Sequence, residues 1–356
     1  MYHATRTMRR RTALVTAAVA LAVLHAPAGP SRRPARAAEG TWDPRQISAD
    51  DRRRLLAGET VAVPVTERTD RDLASGVAGY LALPVARVGE YLAEAELAVQ
   101  DPGITAWALL QKGASPEALG RLRLGAAETE ELLESRPGSV WNLSYAEIEG
   151  LRALRPALGG PARAGLAQAT TSAQYRTLLL RRAEAYRAGG LAAIEPYVRR
   201  GGGVTDPAAE LRQTVEDARP LTAGSPGLPE ALLNYPALQH AARPSRIYWA
   251  ERRLQARITP MLIHQLVEVR PELALHVERH FFVAHSYTSS QTLTAAVPWG
   301  SGALLFVVSR VFTDLVTGLG GELKRGVGRR QLRGDLAARL ERIRAALAKA
   351  TPPQSP

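Results

Sequence analysis

The sequence predicts an α+β fold in which an antiparallel sheet grips a long C-terminal helix, with a helical insertion. Two observations carry this. Three consecutive strand-like segments, RIYWAERRL, ITPMLIHQLVEV and LALHVERHFFVAHSYTSSQTLTAAV, are followed by the apolar run ALLFVV, all rich in Val, Ile, Phe, Tyr and Thr. In SRVFTDLVTGLGGELKR, which follows, Phe312, Leu315, Val316, Leu319 and Leu323 recur at the spacing of one helix face. A curved sheet closed on such a helix encloses a cavity. That architecture, rather than any catalytic motif, is the functional clue.

Residues 1–37 read as a secretory signal, and export to the periplasm or medium is the expected address. Arg9, Arg10 and Arg11 give a positive start, Ala13 to Leu24 is an apolar run too short to span a bilayer, and Ala35-Arg36-Ala37 fits a small-x-small cleavage site. The paired arginines also admit a twin-arginine reading, although their flanks suit it poorly. The chain has no Cys, which excludes disulfides, thiolate metal sites and a lipidated N-terminal Cys. The formal charge of +12 is local: without the seven arginines of 1–37, 39 of the 46 basic residues remain against 34 acidic ones. Residues 321–349 alone hold nine basic and three acidic residues. That segment suits peripheral contact with an anionic membrane, or is a solvated helix face. An extracytoplasmic address argues against nucleic acid.

A polar leader occupies 38–70, with a short helix from Ser48 that Gly58 ends and VAVPV as an edge strand, since Pro64 cannot donate in a central ladder. The run LASGVAGYLAL is strand-like. Pro84 then starts a helix with Val85, Val88, Tyr91, Leu92 and Ala95 on one face. ITAWALLQKG and ALGRLRLG are each a short strand or a helical turn. ESRPGSVWNLSYAEIEGLRAL offers a Pro-Gly turn, a short VWNL strand, and a capping box of Ser144 and Glu147. The domain reading is therefore 71–144 as the first part of the sheet domain, 145–240 as a helical insertion, 241–349 as sheet and C-terminal helix, and 350–356 as a disordered tail.

The order strand, proline, helix, antiparallel strands, long C-terminal helix resembles the helix-grip fold of the START and polyketide-cyclase-like superfamily. The phrases RPGSVWNLS, AYRAGGLAAIEPY, IYW, HFFVAHSY and SRVFTDLVTGLGGELKR resemble an uncharacterised family of exported bacterial proteins. This chain departs from that family's pattern at Ser309-Arg310-Val311-Phe312, where the family has Asn-Arg-Ser-Arg, and at Ala284-His285, where it has Ser-His. The resemblance implies a fold and a tendency to bind lipids or other apolar molecules between sheet and helix; some relatives are cyclases or hydrolases.

No HExxH pattern, GxSxG elbow or Walker loop is present, and no cofactor, metal or catalytic residue is assigned. His264, His276, His280 and His285 fall within 22 residues, but strand alternation sends His276 and His280 to one side and His285 to the other, which disfavours zinc. The candidate ligand-binding residues are His264, His285, Tyr287, Arg310, Asp314, Tyr248 and Trp249. Arg310 and Asp314 are spaced to pair at i and i+4 on a helix, and Gly318, Gly320 and Gly321 within that helix call for a close approach to offset their cost. The expected function is binding of an apolar or amphipathic molecule, including a lipid, in a cavity between the sheet and the C-terminal helix. The alternatives are an enzyme on the same fold with His285 or His264 as general base, and a structural or protein-binding envelope component. After a break near 326–328, Leu332, Leu336, Leu340, Ile343 and Leu347 define one amphipathic helix.

Overall fold

The structure is a computed structural model, and it describes residues 47–95, 101–158, 163–238, 244–254 and 257–350. The signal reading and the 350–356 tail reading concern residues almost wholly outside this set. Helix α1 (Ala49–Leu56) opens it, with the Ser48 hydroxyl accepting from the Asp51 amide. Strands β1 (Val61–Val63) and β2 (Asp72–Leu81) follow, then helix α2 (Val85–Glu94) and strand β3 (Ile104–Leu109). A mostly helical stretch comes next: α3 (Ala126–Leu133), α4 (Tyr145–Arg152), α5 (Ala164–Gly189), a hairpin of β4 (Tyr197–Val198) and β5 (Val204–Thr205), α6 (Pro207–Ala218) and α7 (Gly227–Leu233). Strands β6 (Ser245–Leu254), β7 (Arg257–Arg270), β8 (Leu273–Val283), β9 (Ser289–Trp299) and β10 (Gly302–Phe312) complete the sheet, and α8 (Gly321–Ala350) ends the chain.

Eight strands form one antiparallel sheet in the order β1-β2-β10-β9-β8-β7-β6-β3. The early strand β2 is closed against the last strand β10 over its full length, from Asp72↔Phe312 to Leu81↔Ala303. This topology, with α2 between β2 and β3 and the long helix last, is the α+β helix-grip arrangement. Because successive side chains of a strand point to opposite faces, the sheet has two cores. On one face Val77, Leu305 and Val307 pack against Val85, Val88 and Leu92 of α2 and Leu336, Leu340, Ile343 and Leu347 of α8. On the other, Ala78, Leu275, Leu293 and Phe306 meet Val215, Leu228 and Leu232 of α6 and α7, and farther along Phe281 and Trp249 meet Tyr175, Leu179 and Tyr186 of α5.

Several local expectations are corrected. The stretch 273–297 is two strands, β8 and β9, separated by a turn in which Ser286 has φ +76°. VWNL is not a strand; its Asn142 side chain instead donates to Val283 and Tyr287 carbonyls, both at 2.8 Å, and holds that turn. Of the two segments left open between strand and helical turn, ITAWAL is the strand β3, while in ALGRLRLG only Ala118 and Leu119 belong to a helical turn and 122–125 are irregular. The helix read over 311–325 does not begin until Gly321, because Val311 and Phe312 pair with β2 and β9. Gly318 and Gly320, both at φ +72°, make the turn ahead of the helix instead of lying inside it, a conformation that suits glycine. Helix α8 runs unbroken through 326–328. There Gly328 allows close approach to β2, since a Cβ would stand 2.9 Å from Leu73.

Candidate functional site

A cavity of about 260 Å³ opens on the face of the sheet opposite α8. Its floor is Gln291 and Leu293 of β9 with Val308 and Arg310 of β10, and its rim is the 64–68 loop and the end of α6 with the turn at Pro220 and Leu221. The expected position, between 258–308 and a helix at 311–325, is thus corrected: only a single 3-10 turn, Asp314–Val316, precedes the helix that starts at Gly321. Over α8 the sheet is packed instead by the leucine stripe and by a polar layer.

Arg310 is the cavity's polar anchor and is only 4 % exposed. A buried guanidinium needs partners. It pairs with Asp72 and, at 3.0 Å, with Asp217, and donates to the Thr66 carbonyl at 2.7 Å. Burial pushes the Asp72 carboxyl up to about 6, although Arg310 and the Arg68 amide, which donates to it at 2.8 Å, act against that rise. Gln291 continues the polar wall inward. Its carbonyl oxygen accepts from Arg279 Nε at 3.1 Å, and Arg279 Nη1 donates to the Tyr186 hydroxyl at 3.2 Å and to the Leu232 carbonyl at 2.9 Å. The Tyr186 hydroxyl, which accepts from that guanidinium, also lies 3.0 Å from His264 Nδ1. Burial, with Arg279 nearby, lowers His264 to about 3, so the ring is neutral. The network ties α5 and α7 to the sheet and fixes Gln291 in the cavity wall.

The polar layer under α8 is built from the other side of the same strands. Glu278 accepts from His280 Nε2 at 3.0 Å and from Arg339 at 3.3 Å, and His280 Nδ1 meets the Tyr287 hydroxyl at 2.7 Å. Burial alone would raise the Glu278 carboxyl, but Arg339 and His280 outweigh it and hold it well below the usual carboxylate range. Both His276 ring nitrogens, the Ser75 and Thr294 hydroxyls and Gln265 Nε2 are buried here without a hydrogen-bond partner among the described residues.

The seven candidate residues do not converge. Arg310 lines the cavity, and His264 and Trp249 lie deeper on the same face, the indole donating to the Ala118 carbonyl at 3.0 Å. Tyr248 and Tyr287 cluster with Met261 and Ile263. His285 is edge-on to Trp141 at 5.5 Å, with Nε2 facing the Ile258 carbonyl at 2.9 Å, and burial lowers its pKa. Asp314 is half exposed and pairs with Arg71 at 2.5 Å and Arg199 at 3.6 Å, not with Arg310. Neither His264 nor His285 lines the cavity. No His/Cys/Asp/Glu group among the described residues could hold a metal ion.

No family model and no curated protein matches the sequence. Among solved structures, one titled "Crystal structure of Ara h 8.0201" aligns with 12% identity over 40% of this chain and 90% of that one, at a TM-score of 0.20. So low a score carries no argument, and the strand order above is what defines the fold. The sequence reading missed Asp72, Asp217, Gln291 and Arg279. The signal within reach was Glu278-Arg279 inside the apolar strand LALHVERHFFV, two charges where a fully buried strand has no solvent to offer. Asp72 gives none, since its partner lies 238 residues away.

Proposed function

We propose that the chain is an exported binding protein that takes a small amphipathic molecule, lipid-like at one end, in the cavity on the α6 side of the sheet. The observation that supports this best is a buried Arg310 opening onto a cavity walled by Val65, Leu221, Leu293 and Val308. Apolar walls with a few placed polar groups are how small-molecule sites are built, and about 260 Å³ falls just below their usual range of about 300–1,000 Å³, which restricts the ligand to a small one. The cavity's titratable groups, Arg68, Asp217 and Arg310, are paired with one another, which suits orientation of a polar end better than proton transfer. Titration with fatty acids of increasing length, followed by tryptophan fluorescence and native mass spectrometry, tests it. Ala218→Trp, which fills the cavity from its rim, should remove saturable binding while leaving the thermal midpoint in place. Unchanged binding in that variant, or no saturable response to any amphiphile, sinks the reading. Recovery outside the cytoplasm of a chain shortened by about 37 residues checks the address.

A second reading is favoured by the unpartnered His276, Ser75, Thr294 and Gln265 beneath α8. Those groups suit a polar ligand rather than an acyl chain. Binding that survives Ala218→Trp but is lost in His276→Leu supports this site over the cavity.

A further inference from the structure

Leu315, Leu319, Leu323 and Val327 are 53%, 99%, 60% and 37% exposed. Single exposed leucines are ordinary, but a run of apolar side chains along one ridge marks a contact surface. Leu319 stands at the tip of a turn whose flanking glycines, Gly318 and Gly320, both have φ +72°. Leu323 and Val327 follow four residues apart on the opening turns of α8 and therefore share a face. That face points away from the sheet, because the stripe docked on it is Leu336, Leu340, Ile343 and Leu347. No helix among the described residues is long and apolar enough to cross a membrane, so the ridge is not part of a span.

Charge decides the partner. Residues 321–333 carry five basic side chains and one acidic, and Arg330, exposed, lies on the same face as Leu323 and Val327. A second copy docked symmetrically would bring two such cationic segments together. An anionic lipid surface meets both demands, taking leucines at the level of the acyl boundary and arginines at that of the head groups. We propose that the ridge from Leu315 to Val327 is a docking surface for an anionic bilayer, independent of the cavity and separate from the docked C-terminal stripe.

The chain has no cysteine, so Leu319→Cys can carry a single environment-sensitive fluorophore. Vesicles of phosphatidylcholine with phosphatidylglycerol should shift its emission to the blue and allow quenching by brominated acyl chains. Vesicles of phosphatidylcholine alone should give a partition coefficient smaller by about tenfold, and added salt should narrow the gap. On the labelled background, Leu323→Ser with Val327→Ser, and separately Arg330→Gln with Arg333→Gln, should each lower partitioning by about tenfold. Thermal midpoints should not move, because these side chains are exposed. Unshifted emission with anionic vesicles overturns the proposal, as does equal partitioning into both vesicle types. A dimer that dissociates in the Leu323→Ser, Val327→Ser variant, without any lipid response, also overturns it and assigns the ridge to a second copy.

Discussion

Truncating Leu340 to Ala should cost far more stability than truncating Leu323, although both leucines belong to α8. Leu340 is 0 % exposed and packs with Val77, Leu81 and Leu305. Its Cδ2 stands 2.9 Å from where a Cβ on Gly79 would lie, so helix and sheet are in direct contact there. Leu340→Ala removes buried methyl groups and leaves a cavity that a paired strand cannot collapse to fill; the expected loss is about 3 kcal/mol. Leu323 is 60 % exposed, and its truncation should change stability by less than about 0.5 kcal/mol. In urea, with a slope of about 3 kcal/mol per molar for a chain of this size, Leu340→Ala should lower the unfolding midpoint by about 1 M. Leu323→Ala should leave it in place. The opposite order would show that the first turns of the helix are gripped and would refute the register of α8 on the sheet.

Acidification should destabilise the protein as the pH falls below about 6.5. Burial lowers His264 to about 3 and His276 to about 4, so both stay neutral in the folded chain while the unfolded chain takes up protons near 6.5. Asp72, raised to about 6, works the other way between about 6 and 4, as does Glu210, which burial raises, but the lowered His285 and the depressed Glu147 and Glu278 carboxyls add to the two histidines and leave a net loss. His276→Gln should flatten the dependence of the unfolding midpoint between pH 7 and 4.5; an unchanged slope refutes the assignment. Arg182→Met should cost about 3–5 kcal/mol, because it leaves the buried Glu147 carboxylate with the largely exposed Arg181 as its one remaining cation and the Ser144 amide as its other donor among the described residues. A chemical melt in which Arg182→Met loses less than about 1 kcal/mol would show that the pair is dispensable.

The elements themselves were readable because their periods are set by backbone geometry. Segments crowded with Val, Ile, Phe, Tyr and Thr marked the strands, Ser48 and Ser144 marked helix starts, and the repeat from Leu332 to Leu347 marked the face that α8 lays on the sheet. The helix spacing from Phe312 to Leu323 misled, since the same residues up to Phe312 can extend, and ladder bonds to both β2 and β9 settle the contest in favour of a strand. Placing the seven candidate residues needed the tertiary structure. Strand alternation sends Tyr248 and Trp249 to opposite faces, and only the tertiary packing shows that Trp249 meets α5 while Tyr248 sits among Trp107, Met261 and Tyr287. Composition fixed the missing thiol chemistry and the basic C-terminal segment. The cavity, the Arg310–Asp72 pair and the exposed Leu319 were decided by folding alone, because each depends on contacts between residues, or the lack of them, that no local spacing encodes.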